Sequence, residues 1–77
     1  MEIKILGTGC PNCKTLEKNT REAVTRLGLT ATVDKVEDIM DIMSYGIART
    51  PGLVVDGKVV LNGRVPSVSE IKKLLTA

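Results

Sequence analysis

The chain opens with an alternation, Glu2-Ile3-Lys4-Ile5-Leu6, and then breaks into Gly7-Thr8-Gly9. A two-residue period suits a strand, because successive side chains leave a pleated backbone on opposite faces, and the glycines suit the turn that ends it. The period then lengthens. From Cys13 the small or apolar residues Leu16, Thr20, Ala23, Val24 and Leu27 return at three- and four-residue steps, while Lys14, Glu17, Lys18, Arg21, Glu22 and Arg26 fill the other positions. That spacing predicts an amphipathic helix begun at Pro11, where a proline's missing N–H is not needed, and closed by Gly28.

β-branched residues from Thr30 to Val36 predict a second strand. Glu37-Asp38 then opens a short second helix with Ile39, Met40, Ile42 and Met43, ending near Gly46, and the two methionines are expected as core filler. Leu53–Val55 and Val59–Leu61 flank Asp56-Gly57, a pair that accepts the positive φ of a tight hairpin turn. After Gly63 and Pro66, Ser67 and Glu70 have capping-box spacing, and Val68, Ile71, Leu74 and Leu75 mark one face of a third helix. The predicted order is βαβαββα. A right-handed crossover makes the first two strands parallel, and the hairpin completes a mixed four-stranded sheet, an α/β fold flanked by three helices on its two faces.

A chain of 77 residues predicts a single domain over 1–77. At that size only about 60% of the unfolded surface is buried on folding, so the core must be used well. The apolar fraction of 43% is almost wholly aliphatic, with Tyr45 the sole aromatic, so stacking platforms for single-stranded nucleic acid are missing. With 11 basic against 9 acidic residues, the net charge of +2 gives no reason to expect a nucleic-acid partner. No stretch approaches membrane-spanning length, and the apolar run Ile3–Leu6 is too short for a signal segment and lacks a basic leader. The expected setting is cytoplasmic and reducing, without a membrane partner. Close cysteine pairs there are more often redox-active or metal-binding than structural.

The chain has two cysteines, Cys10 and Cys13, placed where the first strand gives way to the first helix. A thiolate at a helix start is stabilised by unpaired backbone N–H groups and the positive end of the helix dipole, which favours attack on disulfides near neutral pH. Cys13 falls on the apolar stripe and Cys10 precedes the first turn, so the two sulfurs are expected to differ in access. Two other readings stay open. A structural disulfide closing so short a loop would restrict the unfolded chain by only about 2 kcal/mol. A soft-metal carrier for Cu⁺ or Zn²⁺ is the main alternative function, since thiolates suit both ions. Without histidine, two thiols do not make a closed four-ligand site in one chain, which leaves a two-coordinate Cu⁺ site or a metal shared between chains.

The first strand, the Gly7-Thr8-Gly9-Cys10-Pro11-Asn12-Cys13 turn, and Arg49-Thr50-Pro51-Gly52 before the hairpin are together similar to the thioredoxin fold. Over its whole length the chain resembles the small thioredoxin-like, glutaredoxin-like redox-active disulfide proteins. This resemblance implies a thiol–disulfide oxidoreductase that reduces protein or small-molecule disulfides, with no cofactor beyond a redox-active Cys10–Cys13 disulfide. It implies that Cys10 is the nucleophile, that Cys13 resolves the mixed disulfide, and that Gly9, Pro11 and Asn12 belong to the active-site loop. It further implies that Thr50 and Pro51 bind substrate, the proline following a cis bond beside the disulfide and Thr50 offering its backbone to an extended segment. The implied partners are disulfide-containing proteins and a disulfide reductase as electron donor, with the protein acting as a monomer. The chain departs from larger thioredoxins in carrying Gly9 where they have tryptophan and in having no Asp or Glu between Glu2 and Cys10. Lys14, on the polar face of the helix, reads as solvated.

Overall fold

In the computed structural model, which describes residues 1–76, seven elements succeed one another. They are β1 (Glu2–Leu6), α1 (Pro11–Leu27), β2 (Thr32–Val36), α2 (Ile39–Ser44), β3 (Gly52–Val55), β4 (Lys58–Asn62) and α3 (Val68–Thr76). The sheet order is β2-β1-β3-β4, with β1 parallel to β2 and the other neighbours antiparallel. This is the mixed α/β sheet of the thioredoxin fold.

The alternation in β1 decides how the layers stack. Ile3 and Ile5 face α1 and α3, where they pack with Leu16, Ala23, Leu53, Leu61, Ile71 and Leu75. Leu6 turns the other way and joins Ile42 and Val54 under α2. Fully burying each of these Ile, Leu and Val side chains contributes about 1.5–3 kcal/mol, so both faces of β1 hold the domain together. Asn19 on α1 donates to the Pro66 carbonyl at 3.1 Å, tying α1 to the segment that leads into α3.

Local chemistry sets the ends of the elements. At Gly28, with φ 64°, the Gly28 and Leu29 N–H groups donate to Thr25 and Val24 carbonyls, each at 3.1 Å. This crossed pair satisfies carbonyls that the end of a helix leaves free. It also explains why β2 begins at Thr32 rather than Thr30: the chain is still held to α1 at Leu29, and Thr32 N–H is bonded to the Met1 carbonyl at 3.0 Å. The hairpin turns through Asp56 at φ 50° and Gly57 at φ 84°, as its dipeptide predicts. Asp56 also clamps the start of β1, its N–H donating to the Glu2 carbonyl at 2.7 Å while its carboxylate accepts from Glu2 N–H at 2.8 Å.

Two expectations need correction. Met40 and Met43 are not core filler, for they are 71% and 62% exposed. A six-residue helix presents little more than one position to the sheet, and Ile42 takes it. The capping box is half formed. Ser67 Oγ accepts Glu70 N–H at 3.2 Å, but the Glu70 carboxylate turns to the two Nη groups of Arg64 instead of closing the box. A bidentate charge-assisted pair outcompetes one bond to a neutral backbone N–H.

Candidate active site

Cys10 is the N-cap of α1, in extended conformation at φ −67° and ψ 162°. Its carbonyl accepts Lys14 N–H at 3.1 Å, and its sulfur accepts Cys13 N–H at 3.3 Å. The sulfur therefore lies where α1 presents free N–H groups and the positive end of its dipole. Pro11 occupies the first helical position and Asn12 the second, and both side chains are exposed. Cys10 and Cys13 form a disulfide with Cα atoms 5.1 Å apart. Their access differs: Cys10 is half-buried, whereas Cys13 is 5% exposed.

Gly7 explains how Cys13 lies so deep. It follows the last residue of β1, and a Cβ added to it would come within 2.9 Å of Cys13 Cβ and closer still to the sulfur. The absent side chain makes room for the thiol against the end of the sheet. Gly9, at φ 87°, has the left-handed conformation that turns the loop toward α1.

Thr50 and Pro51 reach the same end of the sheet from β3. Leu6 pairs with Gly52, so Gly7 and Pro51 are each one residue beyond that last pair. The Thr50–Pro51 bond is cis, and Pro51 is buried, its carbonyl accepting Gly63 N–H at 2.9 Å. Thr50 is exposed, and its backbone groups make no hydrogen bond among the described residues. It opens onto a groove with Ile42, Met43, Ile47 and Arg49, separate from the pocket that reaches Cys13. The sequence-predicted residues thus gather at one end of the sheet, but Gly9 and Cys13 line one recess and Thr50 another.

Pattern reading did not find the charged surroundings of Cys13. Lys14 and Glu17 on α1, Lys35 on β2 and Glu37 just beyond it line the pocket beside Gly7, Gly9 and Cys13. Lys14, read as merely solvated, is exposed but borders this pocket. The signal was topological: parallel pairing of β1 with β2 brings the residue after β2 beside the loop after β1. Among the described residues, no three His, Cys, Asp or Glu side chains come together as a metal site, and no helix is long and apolar enough to cross a membrane.

The family model of the thioredoxin domain matches residues 1–76. The chain belongs to the thioredoxin family. It is 50% identical over 76 residues to a thioredoxin of Methanothermobacter thermautotrophicus, an alignment covering 99% of each chain. It is 42% identical over 73 residues to a thioredoxin of Methanocaldococcus jannaschii, covering 95% of this chain and 84% of that one. The protein is a thiol–disulfide oxidoreductase, and thioredoxins work through their own cysteine pair without a cofactor. Membership in the thioredoxin family brings disulfide substrates and a reductase that supplies electrons as the general kinds of partner.

Proposed function

We propose that this thioredoxin reduces protein or small-molecule disulfides with Cys10 as nucleophile and Cys13 as resolving thiol. The observation that carries this order is the unequal access of the two sulfurs at the start of α1. In the reduced protein the Cys10 thiolate attacks one sulfur of the substrate disulfide, forming a mixed disulfide and expelling the first substrate thiolate. Cys13 then loses its proton and attacks Cys10 Sγ. The Cys10–Cys13 bond forms, the mixed disulfide breaks, and the second substrate thiolate leaves. The substrate has gained two electrons and, once its thiolates take up protons, two hydrogens. A disulfide reductase returns two electrons to the Cys10–Cys13 disulfide.

Substrate binding is assigned to Thr50 and Pro51, with Gly9, Pro11 and Asn12 as the loop against which the substrate lies. Thr50's unused N–H and C=O suit strand-like pairing with an extended segment, and Gly9 gives a substrate backbone room to approach. In this reading 1–77 is a single thioredoxin-like domain acting as a monomer, since the Cys10–Cys13 pair and Thr50-Pro51 meet at one end of its own sheet. A reducing cytoplasm is the setting in which such a pair turns over.

Trapping tests the order of attack. With a disulfide-containing protein, Cys13→Ser accumulates a mixed disulfide on Cys10, whereas Cys10→Ser accumulates none. Equal trapping by both variants contradicts the assigned roles.

A further inference from the structure

Release of the reduced substrate requires Cys13 to lose a proton in surroundings that disfavour a thiolate. Burial raises a thiol's pKa, and Cys13 is 5% exposed with Gly7 packed against its sulfur. Its opening to solvent is the pocket between the start of α1 and the ends of β1 and β2. Four charged groups face it there: Lys14 and Glu17 from α1, Lys35 from β2, and Glu37 from the residue after β2. The stretch of β1 on this wall supplies Ile5 and Gly7, neither of which titrates.

The two carboxylates are not equivalent. Glu17 accepts from Arg21 Nε and Nη2 at 3.1 and 3.0 Å and lies 3.7 Å from Lys35 Nζ. A proton on Glu17 would break that network of charges. Glu37 makes no ion pair among the described residues, and it is exposed. Its Oε2 lies 3.7 Å from where a Cβ on Gly9 would be, which puts a free carboxylate over the active-site loop.

We propose that Glu37 takes the Cys13 proton, through water in this pocket, as Cys13 attacks the mixed disulfide. The inference rests on the order Cys10 then Cys13 given above. The proton leaves Cys13 Sγ for the Glu37 carboxylate as the sulfur bonds to Cys10. Being exposed, Glu37 then passes it to solvent or to the departing substrate thiolate, so charge and protons balance. Glu37 acts on the reacting sulfur through water, as its general base. Its role has a sign that separates it from a passive charge. A nearby negative charge disfavours a thiolate, so if Glu37 acted only as a charge, Glu37→Gln would speed resolution and move its profile to lower pH. A proton acceptor gives the opposite result.

Dithiobis(nitrobenzoate) reports the two displacements separately, because each releases one coloured thiolate. In stopped flow with the reduced protein, Glu37→Gln releases the first thiolate at the wild-type rate. It releases the second about a hundredfold or more slowly near neutral pH, with the profile displaced to higher pH, in line with the size of general-base effects. Glu37→Asp recovers part of the loss, and Glu17→Gln resolves like wild type. The proposal is overturned if the second release in Glu37→Gln is as fast as wild type or faster, or if Glu17→Gln carries the loss instead. Failure of the underlying order looks different. If Cys13→Ser does not retain the nitrobenzoate group on Cys10, the assigned sequence of attack fails, and the role of Glu37 falls with it.

Discussion

Cys13 fills the space that a side chain on Gly7 would need, with the nearest approach of an added Cβ at 2.9 Å or less to Cys13. Gly7 is also fixed from the other side, its N–H donating to the Val36 carbonyl at 3.0 Å. The end of β1 and the first turn of α1 are thereby locked together, and the Cys13 sulfur is held against the sheet itself.

Gly7→Ala is therefore expected to destabilise the protein by about 1–3 kcal/mol through overpacking, the usual cost of an extra methyl in a filled space. The position has no positive φ that alanine must adopt, so the cost comes from the sulfur contact. Urea unfolding of the oxidised protein measures it. A change under about 0.5 kcal/mol would show that Cys13 moves aside freely.

Ile71 is the anchor of α3, fully buried against β1 and α1. Ile71→Ala should cost about 2–5 kcal/mol, since the removed atoms leave a cavity that rigid neighbours fill only in part. In a domain this small that is a large share of the stability, and a lowered thermal midpoint is the readout. A midpoint equal to wild type would mean that α3 is not docked as described.

Exposure of Met40 and Met43 gives the opposite expectation for α2. Replacing both with glutamine should change stability by no more than about 0.5 kcal/mol, because neither side chain is packed. Loss of several kcal/mol in urea unfolding would place them back in the core.

The carboxyl of Glu70 is held below its ordinary range chiefly by the hydrogen bond from Arg64; desolvation opposes this, and the charges of Arg64 and Lys73 add lesser lowering effects. A carboxyl with a lower pKa in the folded than in the unfolded state adds stability above its unfolded pKa. That stability is lost as pH falls through the folded value, because the unfolded chain then binds the proton more readily. Urea unfolding should show wild type more stable than Glu70→Gln at neutral pH. The gap should close below about pH 4, near and under the unfolded carboxylate range. A gap that does not depend on pH would mean the pair contributes through packing alone.

What could be read from the chain followed from how local each cause is. The Asp56-Gly57 turn, the Gly28 cap and the alternation of Ile3 and Ile5 act within a few residues, and the elements they predict are present. The placement of Cys10 and Cys13 at a helix start was legible for the same reason. The rest depends on approach between distant segments. Gly7 gives no sign in its neighbours that Cys13 will press against it, and Glu37 meets the loop only because β2 pairs parallel with β1. Glu70 has the spacing for one partner and takes another, since Arg64 offers two charged donors. Met40 and Met43 carry apolar side chains at core-like steps, but α2 is too short to bury them.

Cys10 and Cys13 should be two chemically different sulfurs within one pair. With the protein fully reduced, limiting iodoacetamide near neutral pH followed by peptide mass spectrometry gives the labelling rate of each. Cys10, half-buried at the N-cap, should be alkylated at least about tenfold faster than Cys13, with its rate rising through a pKa below the ordinary thiol value of about 8.5. Equal and slow labelling of both cysteines would contradict that difference.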